Sequence, residues 1–91
     1  MFELLQNYPN PFNPSTTITY SLPKPANVKI RIIDILGKIV KTLDQGYQPP
    51  GRYHLIWDGK NDQVQQVPSS IYYYQINAEG FSEIRKMILL K

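Results

Sequence analysis

Proline and glycine decide what this chain can fold into. Eight prolines and five glycines are spread over 91 residues, and no window of 11 or more keeps a 3.6-residue apolar period free of both. Proline in a helix interior removes a hydrogen bond and clashes with the preceding turn, and glycine costs backbone entropy. The intervals between the breaks have strand length instead. Residues 16–22 alternate, with Ile18, Tyr20 and Leu22 opposite Thr17, Thr19 and Ser21. Residues 26–33 set Val28, Ile30 and Ile32 against Lys29 and Arg31. Further strands are predicted over 38–43, 52–57 (Tyr53, Leu55 and Trp57 against Arg52, His54 and Ile56), 71–78 (Tyr72, Tyr74 and Ile76 against Tyr73, Gln75 and Asn77) and 81–90.

Turn chemistry lies between these runs. Pro23-Lys24-Pro25 separates the first two, and Asp34-Ile35-Leu36-Gly37 makes a tight turn with Gly37 at the positive-φ position. Pro49-Pro50-Gly51 ends a longer loop, Asp58–Asp62 forms another turn, and Ala78-Glu79-Gly80 closes a last hairpin. Six or seven short strands at this spacing predict an all-β, antiparallel β-sandwich of immunoglobulin or fibronectin III type. The expected core is Ile18, Tyr20, Val28, Ile30, Ile32, Tyr53, Leu55, Trp57, Tyr72, Tyr74 and Ile76. The stretch from Asn7 to Pro14 holds three prolines and cannot be a central strand. It is read as an ordered, extended lead-in: residues 1–15 precede a sandwich over 16–91, all in one domain.

Composition narrows the function. The net charge of +3 is scattered, unlike the clustered charge of a nucleic-acid domain. Without cysteine there are no disulfides, thiolate metal sites or cysteine nucleophile. No apolar run approaches the roughly 20 residues of a membrane span, and the start lacks the charged and apolar segments of a signal peptide. The single histidine, His54, falls mid-strand on the polar face, and no serine has a nucleophile-elbow context. No nucleophile, base and orienting group come together, so the chain is read as a non-enzyme without a cofactor. The Asp58–Asp62 turn fails as an EF-hand, because Lys60 and Ser69 occupy ligand positions. Asp58 and Asp62 with backbone carbonyls are the one place for a weak calcium site. An aromatic row including Tyr73 is a rival feature, as a surface for stacking sugars.

The end of the chain is different. Arg85-Lys86-Met87-Ile88-Leu89-Leu90-Lys91 carries apolar residues on both faces, bracketed by cations. It reads as a core strand with a polar cap, or as an edge segment that a partner captures by strand addition. In the second case the isolated domain also self-associates through it.

Four elements carry a resemblance to a known family. The opening Asn7-Tyr8-Pro9-Asn10-Pro11-Phe12-Asn13-Pro14 runs into Thr16 and Ile18; then come Asp34, Leu36, Gly37 and Val40, then Gly51, Tyr53, Trp57, Asp58 and Gly59, then Val67, Ser69, Tyr72 and Tyr74. In this order, closed by Arg85-Lys86-Met87 and Lys91, they resemble the C-terminal sorting domain (type A) of type IX secretion cargo, in the FlgD-like immunoglobulin-fold group. The resemblance spans about Leu4 to Lys91. Val64 and Ser70 stand where that family has glycine; positive φ there costs a side chain on the order of 1 kcal/mol each.

The resemblance implies a non-catalytic address. The parent, from Bacteroidetes or related bacteria, carries an N-terminal cargo domain and a signal peptide, and passes through the periplasm to the cell surface or medium. Its partners are the type IX outer-membrane machinery, which reads the domain, and a sortase-like cysteine protease, which removes it. Residues 85–91 are the expected recognition element, and their deletion is expected to block export while leaving most of the sandwich folded. The alternative is a FlgD-like or fibronectin-like accessory module that binds carbohydrate or packs on a neighbouring catalytic domain.

Overall fold

A computed structural model describes residues Met1–Lys91. It is all-β, with seven strands: β1 (Glu3–Leu4), β2 (Thr16–Leu22), β3 (Ala26–Ile33), β4 (Ile39–Gln48), β5 (Gly51–Trp57), β6 (Ser70–Ala78) and β7 (Phe81–Leu89). They form two antiparallel sheets in the orders β1-β2-β5 and β4-β3-β6-β7. The alternation read from the sequence is the burial pattern of the inner strands. Ile18, Tyr20 and Leu22 of β2, Val28, Ile30 and Ile32 of β3, and Tyr72, Tyr74 and Ile76 of β6 are all buried between the sheets.

Trp57 ends β5 at the centre of this core. It packs against Phe12 at a ring-centroid distance of 5.7 Å and edge-on to Tyr72 at 5.6 Å, and its Nε1–H donates to the Lys60 carbonyl at 2.9 Å. Its one polar atom is thus satisfied, so the indole can be buried without an unpaired donor. No buried side-chain polar atom in the protein lacks a partner.

Several sequence expectations need correction. Tyr53 and Leu55 are only partly buried, because β5 is an edge strand with no neighbour on its far side. The strand predicted over 38–43 continues to Gln48, so the expected longer loop reduces to Pro49-Pro50. Two register shifts against β3 carry the strand on past the point where its alternation breaks. The core also contains Leu4, Phe12, Ala26, Val67, Ala78, Met87 and Leu89. The last two matter most. Each buried side chain of this kind contributes about 1.5–3 kcal/mol, against a total stability of about 5–15 kcal/mol. Deleting residues 85–91 therefore removes core, and it is expected to destabilise the sandwich, contrary to the expectation that most of it stays folded.

The turn residues behave as their chemistry requires. Asp34 Oδ1 accepts from the N–H groups of Leu36 and Lys38 at 3.0 and 2.9 Å, and Gly37 takes φ +86. Gly59 needs its missing side chain for a second reason, since a Cβ there would lie 2.8 Å from the Pro14 carbonyl oxygen. Of the two positions where the resemblance led us to expect glycine, Val64 is strained at φ +61, whereas Ser70 opens β6 without positive φ.

Val64 is mostly exposed, so replacing it loses little packing. A non-glycine residue in this region costs about 1–3 kcal/mol, and the extra unfolded-state freedom of glycine returns about 0.5–1. Val64→Gly is expected to stabilise the domain by about 1 kcal/mol, raising a calorimetric melting midpoint by about 4–8 °C. A lower midpoint would contradict the strain assigned to this turn.

Candidate functional site

The terminal strand and the opening segment form one structural unit. All of β7 lies opposite β6, with Met87 and Leu89 in the core, but the backbone groups of Lys86, Ile88 and Leu90 turn away from that partner strand. The opening segment occupies that free edge. Gln6 Nε2 donates to the Lys86 carbonyl at 2.8 Å, the Ile88 N–H donates to Asn10 Oδ1 at 2.9 Å, the Phe12 N–H donates to the Ile88 carbonyl at 3.0 Å, and the Leu90 N–H donates to the Phe12 carbonyl at 3.0 Å. Phe12 and Leu89 make a parallel bridge, and the Phe12 ring, 2% exposed, anchors the segment against Trp57.

A buried polar knot fixes the start of the segment. The Asn7 N–H donates to Tyr74 Oη at 2.8 Å, and Tyr74 Oη donates to the Leu5 carbonyl at 2.7 Å. Asn7 Nδ2 reaches Thr16 Oγ1 at 2.9 Å and the Pro9 carbonyl at 3.2 Å, and the Thr16 hydroxyl donates to the same carbonyl at 2.9 Å. Proline suits this path, because its carbonyl still accepts while its nitrogen requires no partner. Further along, Leu4 and β1 pair with β2, Arg85 Nε donates to the Leu4 carbonyl at 2.6 Å, and Phe2 stacks on Phe81 at 5.1 Å.

This arrangement revises the expectation of an open terminal edge. From Lys86 to Leu90 the edge that a partner strand would join is already filled by residues 6–12. Of the expected recognition residues, Met87 and Leu89 face the core, and Arg85 is engaged by Leu4 and by Glu83 at 3.4 Å. Lys86, Leu90 and Lys91 are exposed and Ile88 is partly so. The motif positions mostly build the fold: Asn7, Pro9, Asn10, Pro11, Phe12, Asn13 and Pro14 belong to the segment and its connection to β2, Asp34 and Gly37 make a turn, Gly51 opens β5, and Trp57, Asp58 and Gly59 lead out of it. Leu36 differs, standing 87% exposed at its turn.

The remaining sites are plain. Asp58 Oδ1 accepts from the Lys60 N–H at 3.1 Å within its own turn, whereas Asp62 lies 3.9 Å from Lys41 Nζ and accepts from the Thr42 N–H of β4 at 3.4 Å; no group of three candidate ligands includes them. His54 is exposed beside the Thr19 hydroxyl at 2.9 Å. Tyr73 has Ile33 and Lys86 as cross-strand neighbours, so it does not belong to an aromatic row. A cleft of about 590 Å³ lies between the 34–38 turn and the 61–70 loop, lined by Ile39, Asn61, Gln63 and Val67 among others. No helix is long and apolar enough to cross a membrane.

Two antiparallel sheets with the opening segment crossing from one to the other define an immunoglobulin-like β-sandwich module. The FlgD Ig-like domain family matches residues 12–81, and the chain belongs to that family. No curated protein sequence matches it. Among solved structures, it is similar to dimeric latent PorU from Porphyromonas gingivalis, with a TM-score of 0.80 and 20% identity over 99% of this chain and 9% of that one. It is similar to PorZ of the same organism, described as an essential surface component of the type-IX secretion system, with a TM-score of 0.64 and 16% identity over 94% of this chain and 11% of that one. FlgD from P. aeruginosa matches with a TM-score of 0.60 and 22% identity over 81% of this chain and 60% of that one. The chain thus spans a small part of the first and second and under two thirds of the third, and the likeness is one of fold.

The buried hydroxyls predict an alkaline limit. Burial pushes Tyr74 up to about 12; the hydrogen bond from Asn7 and the charge of Arg85 oppose this, and Glu83 adds to it. Burial also raises Tyr20 and Tyr72. A tyrosine that holds its proton more tightly when folded gives stability that is complete below the unfolded value of 10.0 and is lost as pH rises toward 12. Urea midpoints are expected to hold up to about pH 9.5 and fall steadily to pH 12, with a shallower fall in Tyr74→Phe. An unchanged slope in that variant would remove Tyr74 from the account. Hydrogen exchange tests the covered edge directly: the amides of Ile88 and Leu90 should be protected in the parent, and that protection should drop sharply in Phe12→Ala. Equal protection in both proteins would mean the segment does not hold the edge.

Proposed function

We propose that this domain is a non-catalytic export address, which directs a larger protein through the outer membrane by the type IX route. The carrying observation is the chain-wide likeness. The ordered motif runs from the opening segment to the terminal strand, and the same span superposes on parts of PorU and of PorZ, the latter described as a type-IX secretion component. In this reading the parent folds in the periplasm, the domain meets the export machinery, and the product reaches the cell surface or medium, where a sortase-like cysteine protease removes the domain. The cargo domain lies N-terminal, and the whole of residues 1–91 is the address.

The physical form suits such a role. An address must fold independently of many different cargos, and a sandwich closed on its terminal edge does so without offering its last strand to neighbours. It must also present a surface the machinery reads. Lys86, Ile88, Leu90 and Lys91 are the part of the terminal run available for that purpose. The non-catalytic reading is supported by the roles of individual groups: His54 bonds the Thr19 hydroxyl, and the Asp34 and Asp58 carboxylates cap their turns.

The test is a fusion. Residues 2–91 are joined to the C-terminus of a periplasm-directed fluorescent reporter, in a bacterium with a type IX system and in the same strain lacking the pore. The expected outcome is reporter at the surface or in the medium only when the pore is present. A folded reporter retained in the periplasm of both strains would reject the proposal.

A further inference from the structure

We infer that the export machinery docks on the outer face of the β4-β3-β6-β7 sheet, not along the edge of its last strand. This rests on the address reading above.

The edge is already occupied over Lys86–Leu90 by the opening segment, with the Phe12 ring buried behind it. A strand added there would first have to extract Phe12 from beside Trp57. The face, in contrast, is open and continuous. Cross-strand pairing sets Ile39, Ile33, Tyr73 and Lys86 in one row across all four strands, and Ile71 pairs with Ile88 beside it. These side chains point away from the core, since their neighbours Ile32, Tyr72, Tyr74 and Met87 are buried. Ile39 is 50% exposed and the neighbouring Ile71 38%, while Ile33, Tyr73 and Ile88 are partly exposed, so the row and its flank form a partly exposed apolar strip. Apolar patches bounded by polar groups mark interaction sites on soluble domains.

Charge identifies the occupant. Lys86 ends the row, Arg31 lies in the next one, and neither takes part in any of the ion pairs of the protein. Two carboxylates border this face: Asp44 stands opposite Lys29 one row beyond Arg31 and pairs with it at 4.0 Å, and Glu79 accepts from the N–H and Nδ2 of Asn27 at 3.0 and 3.3 Å, so Arg31 and Lys86 keep no ion-pair partner. The partner therefore has an apolar centre and an acidic rim. A second copy of the chain would bring like charges together. A folded protein surface fits both features.

The same reporter fusion, carrying the whole chain, tests this. Ile39→Thr with Tyr73→Thr, and separately Lys86→Glu, are compared with Ile56→Thr, an exposed position on the other sheet. Threonine keeps strand preference, and purified variants are melted to establish that they fold. Lys86→Glu, an exposed change, keeps the test valid if the double variant does not fold. Exported reporter is expected to fall about tenfold or more in the face variants and to stay at the parent level in Ile56→Thr, as for the loss of a central contact. Parent-level export of folded face variants would overturn the docking face while leaving the address reading intact. A parent that is not exported would overturn the address reading, and this inference with it. Sedimentation of the parent with phosphatidylglycerol vesicles, or dimers in light scattering, abolished by Lys86→Glu would assign the face to a membrane or to a second copy and overturn the inference as well.

Discussion

The contact on which the rest of this sandwich depends is the insertion of Phe12 between the sheets beside Trp57. It fastens the opening segment across the gap between β2 and β7. A small two-sheet domain exposes a large share of its strand edges, and each carries unpaired backbone groups that invite other chains. Here one side is closed by a segment too rich in proline to be a strand itself. Its carbonyls, side-chain amides and few N–H groups match what β7 leaves unpaired. The Asn7–Thr16–Tyr74 knot then holds the segment in one register, because each buried polar atom would lose its partner if the chain slipped.

Closing the edge changes what the terminal run can offer. A strand with its edge satisfied and its inner side chains in the core keeps one free aspect, the outward face. That face is shared with β3, β4 and β6, so it is a property of the whole sheet and not of a linear tail. A short C-terminal sequence can be decisive for a function while acting through a surface assembled from distant parts of the chain. For the same reason, truncating the terminal run is a poor probe of recognition, since it removes Met87 and Leu89 along with the exposed positions.

The FlgD Ig-like family and the similar solved structures place the chain among sandwich modules found within much longer proteins. Most motif positions here are accounted for by folding: capping carboxylates, turn glycines, a central tryptophan and a polar knot. Leu36 is not, being exposed at the tip of its turn, next to the Ile33–Ile39 pair that begins the apolar row.

Local chemistry made much of this legible in the sequence. Alternation over 16–22 and 26–33 gave strands and their inward faces, since side chains of a strand alternate with a period of two. Asp34 with Gly37 was readable because turns are settled within a few residues; the strain at Val64 came only from the resemblance, which marked Ser70 equally and there did not hold. The opening motif was visible as a motif, but its purpose was not. Pairing of Phe12 with Leu89 joins opposite ends of the chain, and no local pattern encodes which edge a segment will cover. Partial exposure of Tyr53 and Leu55 was equally hidden, because periodicity tells which way a residue points and not whether another strand lies beyond it. The sequence by itself determined strands, turns and the family; only the tertiary structure decided which edge is closed and which face stays open, because both depend on contacts between residues far apart along the chain.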